Sequence, residues 1–229
     1  MLGATSSAPS HSLDKAMTEE SESGSVRESY DALAHEYSLR IFHELEGKPL
    51  DRALLDEVAS RSAGLICDLG CGPGHVARYL AQQGASVCGV DLSPGMVAQA
   101  QRLNPELRFE VSDMRSLPFE DGSLAAVVAM YSLIHFDDGE LASACQEIAR
   151  VLSPHGLLLV GLHRGSAIEH VDDLWGLSVD LHFRLFEPDE IARPLTASGM
   201  SVERVVERDP YPGVEVETKR FYVLATKQD

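Results

Sequence analysis

The spacing of apolar positions changes period along the chain. From Ser25 on, SVRESYDALAHEYSLRIFHEL sets Tyr30, Leu33, Ala34, Tyr37 and Ile41 at helical intervals. PLDRALLDEVASRS predicts a second helix with Asp51 near its start as a cap. Short apolar runs then alternate with amphipathic stretches. Strands are predicted at 65–70, 86–93, 107–113, 124–136 and 156–163, with helices at 75–84, 94–104 and 140–153. Ser93 and Pro94 open the second of these helices, and Gly84 closes the first. The run LAAVVAMYSLIHF at 124–136 is apolar throughout, as a central strand buried on both faces requires. Residues 164–186 break the rhythm and read as an irregular cap. The helix EPDEIARPLTASG follows, stopping at Gly199. Two closing strands, SVERVVERDPYP and KRFYVLATK, have no helix between them and are expected to pair antiparallel. Strand–helix alternation with short loops predicts an α/β domain over 26–229, a mostly parallel sheet covered by helices on both faces, with N-terminal helices at 26–60.

Composition narrows the function. Residues 1–25 are rich in Ser, Glu, Gly and Ala and are expected to be a disordered tail. That stretch lacks the basic-then-apolar pattern of a secretory signal. With 36 acidic against 19 basic residues, the net charge of −17 disfavours a nucleic-acid partner. No apolar run reaches membrane-spanning length. Cys67, Cys71, Cys88 and Cys145 form no CxxC pair and read as reduced, mostly buried thiols of a cytoplasmic protein.

The chemistry-bearing stretch is Asp68-Leu69-Gly70-Cys71-Gly72-Pro73-Gly74, which ends one strand and opens a helix. Its glycines allow a tight turn and let a ligand lie against the backbone. Asp91 ends the next strand, where a carboxylate can accept from both hydroxyls of a ribose. Asp113 ends the third. All three positions converge on the carboxyl edge of the sheet, where open α/β sheets bind ligands. A nicotinamide or flavin site wants a glycine at position 75, which is His75, and Pro73 removes a donor that a pyrophosphate would use.

DLGCGPGHVARYL, VCGVDLSPGM, FEVSDMRSLPF and MYSLIHF resemble, in order and spacing, the successive motifs of class I S-adenosylmethionine-dependent methyltransferases. That resemblance implies a Rossmann-like, doubly wound seven-stranded sheet, parallel except for its last strand, and S-adenosylmethionine as cofactor. It further implies Asp68, Gly70, Cys71 and Gly72 around the methionine part and Asp91 on the ribose. Leu92 and Met96 would then lie beside the adenine, with Asp113 on its amino group and Met114 against the ring. By the same resemblance Met130 and Tyr131 line the cofactor or substrate side, while Tyr30, Tyr37 and Arg40 fold over the cofactor.

For the transfer itself, His135, at the end of the fourth strand, is the candidate general base. His163, at the end of the fifth, is a second candidate that would face the acceptor. Trp175, His182 and Phe183, with Phe186, are expected to form a substrate wall in the cap, and Tyr211 and Arg220 to face it. Asp172, Asp173, His170 and His182 match no metal-ligand spacing, and no metal is expected. The leading reading is methyl transfer to O or N of a small-molecule acceptor by a monomer or homodimer. The alternatives are a protein or RNA methyltransferase, and a non-catalytic regulatory protein that binds the cofactor.

Overall fold

The computed structural model describes the backbone of residues 11–229 and the side chains of residues 24–229. Nine strands and six α-helices alternate among the described residues. Helix α1 spans His11–Ile41, and α2 spans Pro49–Arg61 after a 3₁₀ turn at Glu44–Gly47. The βα series then runs β1 Leu65–Leu69, α3 His75–Gln82, β2 Ser86–Asp91, α4 Pro94–Leu103, β3 Arg108–Val111, β4 Leu124–Met130, α5 Asp138–Val151 and β5 Leu152–His163. After a hairpin, β6 Ile168–Leu174 and β7 Leu177–Arg184, come α6 Pro188–Ala197, β8 Met200–Arg208 and β9 Arg220–Lys227.

The main sheet has seven strands in the order β3-β2-β1-β4-β5-β9-β8. Strands β1 to β5 pair in parallel, and β9 runs antiparallel to both β5 and β8. This is the sheet expected from the sequence. Its reversal at β1 and β4 makes a crevice above the carboxyl ends of the strands. One face packs Leu141, Cys145 and Ile148 of α5 and Ile191 of α6 over the sheet; the other packs Leu54 and Val58 of α2 with Val76, Leu80 and Val97 of α3 and α4. A third cluster, Leu33 with Val179 and Leu181, fastens α1 to β7. The four cysteines are free and buried, as expected.

Several expectations are corrected. Helix α1 begins at His11, ahead of the boundary expected at residue 25, and the expected tail over 1–10 lies outside the described residues. Strand β4 ends at Met130, and residues 131–136 form a turn, with Tyr131 at φ 57°. A capping box of Asp137 and Glu140 then starts α5. Segment 164–186 is not irregular. Its hairpin turns at Trp175 and Gly176, both at positive φ (60° and 83°), as a two-residue type I′ turn needs. Asp51 does not cap α2. Its buried carboxylate accepts from the Tyr131 hydroxyl and the Arg208 guanidinium instead. Ser93 does cap α4, accepting from the Met96 amide at 3.0 Å.

Candidate active site

The floor of the crevice is built by the turn after β1. Gly70 and Cys71 both donate to the Val90 carbonyl, tying the turn to β2. Gly70 sits at φ 71°, and a Cβ there would come 2.3 Å from that of Ser132. Gly72, at φ 51°, is different: an added Cβ would meet only the Tyr37 ring, at 3.8 Å. Gly74 serves packing, because a side chain there would strike Asn104 and Phe109. Two of the three glycines therefore shape the crevice, and the third seats α3.

Asp91 stands at the end of β2. Its carboxylate accepts from the Gly72 amide at 2.8 Å and from the Ser93 amide at 2.9 Å. Burial raises its pKa above the usual carboxylate range, while these backbone donors pull it down. Asp68 lies beneath, fully buried, and accepts from the Ala77 amide in the first turn of α3. Burial pushes its pKa up to about 7, against the opposing pull of His75 and that amide. Asp68 thus holds the turn and the helix start together.

Helix α1 forms the roof. Asp31 accepts from the Ser93 hydroxyl at 2.5 Å and the Gly95 amide at 2.7 Å, which pins α1 to the start of α4. Tyr30 and Tyr37 meet edge to face at 6.0 Å, and Tyr37 in turn meets Trp175 at 5.8 Å. Burial raises both tyrosine pKa values first; after it come Tyr37 and Asp91 for Tyr30, and Glu44 and Asp91 for Tyr37. Both phenols therefore stay protonated at neutral pH. Arg40 lies outside this layer, stacked 5.0 Å over Trp175 and paired with Glu36.

The edge of the crevice carries His135. Its Nε2 is 2.9 Å from the Tyr30 hydroxyl and its Nδ1 is 2.8 Å from the His182 carbonyl. The carbonyl can only accept, so Nδ1 carries the proton and Nε2 accepts from Tyr30. Burial lowers the His135 pKa to about 4, the carbonyl partly opposing. Phe183 packs against the imidazole at 5.2 Å. Met114 reaches in beside Gly70 together with Ser132, whose hydroxyl is buried without a hydrogen-bond partner. Cys71 is buried under the turn, and Leu92 is half-buried beside Asp91.

The remaining expected site residues make the following contacts. Met96 is fully buried in the packing of α4, and Met130 packs over Gly161 of β5. Asp113 gives both oxygens to Arg115, which holds its pKa down against burial. Tyr131 turns its hydroxyl away toward Asp51 and Tyr222. His163 packs against Tyr131, ring centroids 5.1 Å apart and tilted by 56°, and bonds Thr218 at 2.7 Å. Burial, then Arg220 and Lys48, lowers its pKa to about 3. Arg220 lies buried beside these groups rather than under the cap, and the Tyr211 hydroxyl accepts from the Leu50 amide of α2. His182 is on the outer face of the hairpin, because strand residues alternate and Leu181 and Phe183 take the inner positions. Its carbonyl, not its ring, reaches the site. Sequence reading missed Asp31, Ser132 and Glu44. Asp31 had one available signal, a helical carboxylate next to Tyr30; the others had none.

Residues 66–156 match the family described as "Methyltransferase domain". The chain is 37% identical over 109 residues to a demethylmenaquinone methyltransferase of Beutenbergia cavernae, covering 48% of this chain and 45% of that protein. It is 33% identical over 166 residues to a trans-aconitate 2-methyltransferase of Methylobacterium nodulans, covering 69% and 58%. The chain thus spans about half the length of the curated relatives it matches. Among solved structures, a Burkholderia thailandensis 1,6-didemethyltoxoflavin-N1-methyltransferase shares the fold at TM-score 0.71 and 20% identity, over 100% of this chain and 94% of that one. A glycine turn joined to a carboxylate at the end of β2, on a seven-stranded sheet with one reversed strand, agrees with these matches: residues 66–156 carry a methyltransferase domain, and the fold is the one shared with S-adenosylmethionine-dependent methyltransferases of known structure.

Proposed function

We propose that this protein transfers the methyl group of S-adenosylmethionine to an oxygen or nitrogen of a small-molecule acceptor. One observation carries the reading: a crevice floored by Gly70–Gly72 and Asp91 is roofed by Tyr30 and Tyr37, with Tyr30 bonded to a neutral His135. The residues fit the cofactor. Each Asp91 oxygen takes one amide and keeps acceptor capacity for a ribose hydroxyl. A Cβ at Gly72 would touch only the Tyr37 ring, at 3.8 Å, and the unpartnered Ser132 hydroxyl stands beside Gly70. Bound there, the cofactor supplies a methyl group already activated on a sulfonium.

What remains for the chain is to place the acceptor, exclude water and take a proton. Placement alone lowers a barrier by roughly 7–11 kcal/mol. The aromatic layer of Tyr37, Trp175 and Phe183 excludes water and offers an apolar wall. For a hydroxyl or ammonium acceptor, the Tyr30 oxygen receives the proton as Tyr30 passes its own to Nε2 of His135. The His182 carbonyl then holds the resulting imidazolium through Nδ1–H. The net charge of −17 favours small acceptors over nucleic acid, and the relatives named above carry small-molecule names.

The test is incubation with methyl-labelled S-adenosylmethionine and fractionated metabolites. Label is expected in a small-molecule fraction. Replacing Tyr30 by Phe or His135 by Ala is expected to slow transfer about 10²-fold or more while cofactor binding persists. Label confined to protein or RNA would overturn the acceptor class.

A further inference from the structure

The outer face of the β6–β7 hairpin carries three exposed groups of metal-binding type. His170 and His182 are register partners across the two strands, and Asp180 lies two residues before His182, hence on the same face. Their donor atoms all lie within 4.8 Å of one another. The His170 Nε2 is already 2.9 Å from an Asp180 oxygen, and the two imidazoles stack at 4.6 Å.

We propose that His170, Asp180 and His182 bind a divalent cation of the zinc class, with water completing the shell. Two imidazoles and one carboxylate are a donor set that suits zinc, nickel or copper and not magnesium or calcium. Donors on a tetrahedral zinc ion at ~2.0–2.1 Å sit roughly 3.3 Å apart. The His170–Asp180 pair, now hydrogen-bonded at 2.9 Å, has only to open by roughly 0.4 Å to reach that spacing, and the exposed His182 ring, whose donor lies within 4.8 Å of both, reaches it by side-chain rotation. The carboxylate is also oriented from behind, as ligating carboxylates are: the second Asp180 oxygen accepts from the Ser25 hydroxyl at 2.9 Å.

The site's position gives it a consequence. Asp180 is the anchor of α1 on the hairpin: its amide donates to the Ser29 hydroxyl at 2.9 Å, and the single Ser25 O–H is shared between its carbonyl and its carboxylate, each at 2.9 Å. The neighbouring His182 carbonyl holds His135. A cation here ties both hairpin strands at the point where they grip the roof helix. The site stands apart from the methyl-transfer crevice and does not depend on how that crevice is read.

The experiment is calorimetric titration of the metal-stripped full chain with zinc sulfate and, separately, magnesium chloride. It is repeated on His170→Ala/His182→Ala and on Asp180→Asn, with thermal melting to show that each variant is folded. A single zinc site is expected in the parent chain, weakened at least tenfold in both variants, with no magnesium uptake dependent on these residues. Zinc affinity unchanged in the double variant, or no zinc uptake by the parent chain, would overturn the proposal. Because the chain carries other histidines outside this face, the variants decide the location.

Discussion

At the residue scale, a few side chains do what no neighbour of similar character could. Gly70 is one. Its φ of 71° and the 2.3 Å approach of Ser132 leave no room for a methyl group. Gly70→Ala is expected to cost about 1–3 kcal/mol of stability by backbone strain and overpacking, measurable by chemical denaturation. Gly72→Ala meets only the Tyr37 ring at van der Waals distance, so its smaller loss comes from backbone strain alone, and its larger effect falls on cofactor affinity. His135 offers a second residue-scale prediction. With its pKa lowered to about 4 by burial, it is an unprotonated base throughout the neutral range. The transfer rate is expected to stay level from pH 8 down to about 5 and to fall only as Nε2 takes a proton near 4. A rate that halves near 6.5, the ordinary histidine value, would show that burial does not lower the pKa of the base.

At the element scale, the roof is the part that sequence reading placed only halfway. The helical spacing of Tyr30, Leu33 and Tyr37 marked a helix, but nothing local said which surface it covers. That is fixed by Asp31 on the amino end of α4 and by Leu33 against Val179 and Leu181 of β7. Asp31→Ala removes both hydrogen bonds to α4. It is expected to weaken cofactor binding about tenfold by loosening α1 while leaving the melting temperature of the sheet domain within a few degrees, a comparison that calorimetry and thermal melting make together. The hairpin is legible in its alternation. Leu177, Val179, Leu181 and Phe183 alternate with Ser178, Asp180, His182 and Arg184 in strict period two. A bulky Trp175 at a position requiring positive φ hid the type I′ turn, because Asn or Gly is the usual signal there. The same alternation puts the His182 ring outside, which a reading of the segment as irregular could not show. Strand β4 erred in the opposite way. Apolar character continues through Leu133 and Ile134, both buried, although the backbone has left the strand; burial in a turn and burial in a strand look alike in sequence.

The whole molecule follows most directly from the sequence, because the βα rhythm and the reversed final strand rest on many residues at once. Long-range polar pairings were not legible. Asp51 reads as a helix cap from its position and is instead a buried partner of Tyr131 and Arg208, from strands and turns far along the chain. Among the described residues, no helix is long and apolar enough to cross a membrane. Stability against pH is a property at this scale. His135 and His163 have folded pKa values of about 4 and about 3, below the ordinary value, so their unfolded forms bind protons first as pH falls through 6.5. Their stabilising contribution is present above that pH and is lost between 6.5 and the folded values. Asp68, raised to about 7, acts oppositely and offsets about one of these two protons. Net stability is expected to decline from pH 6.5 toward 4. His163→Gln is expected to make that decline shallower, as denaturant midpoints at pH 4.5 and 7 would show.

The central claim is that the crevice between Asp91 and the α1 tyrosines holds S-adenosylmethionine. Isothermal titration with S-adenosylmethionine and its demethylated product, on the parent chain and on Asp91→Ala, tests it most directly. One site per chain is expected for both ligands in the parent, with affinity lost by at least tenfold in the variant. No binding of either ligand to the folded parent chain, or equal binding by Asp91→Ala, would contradict the account.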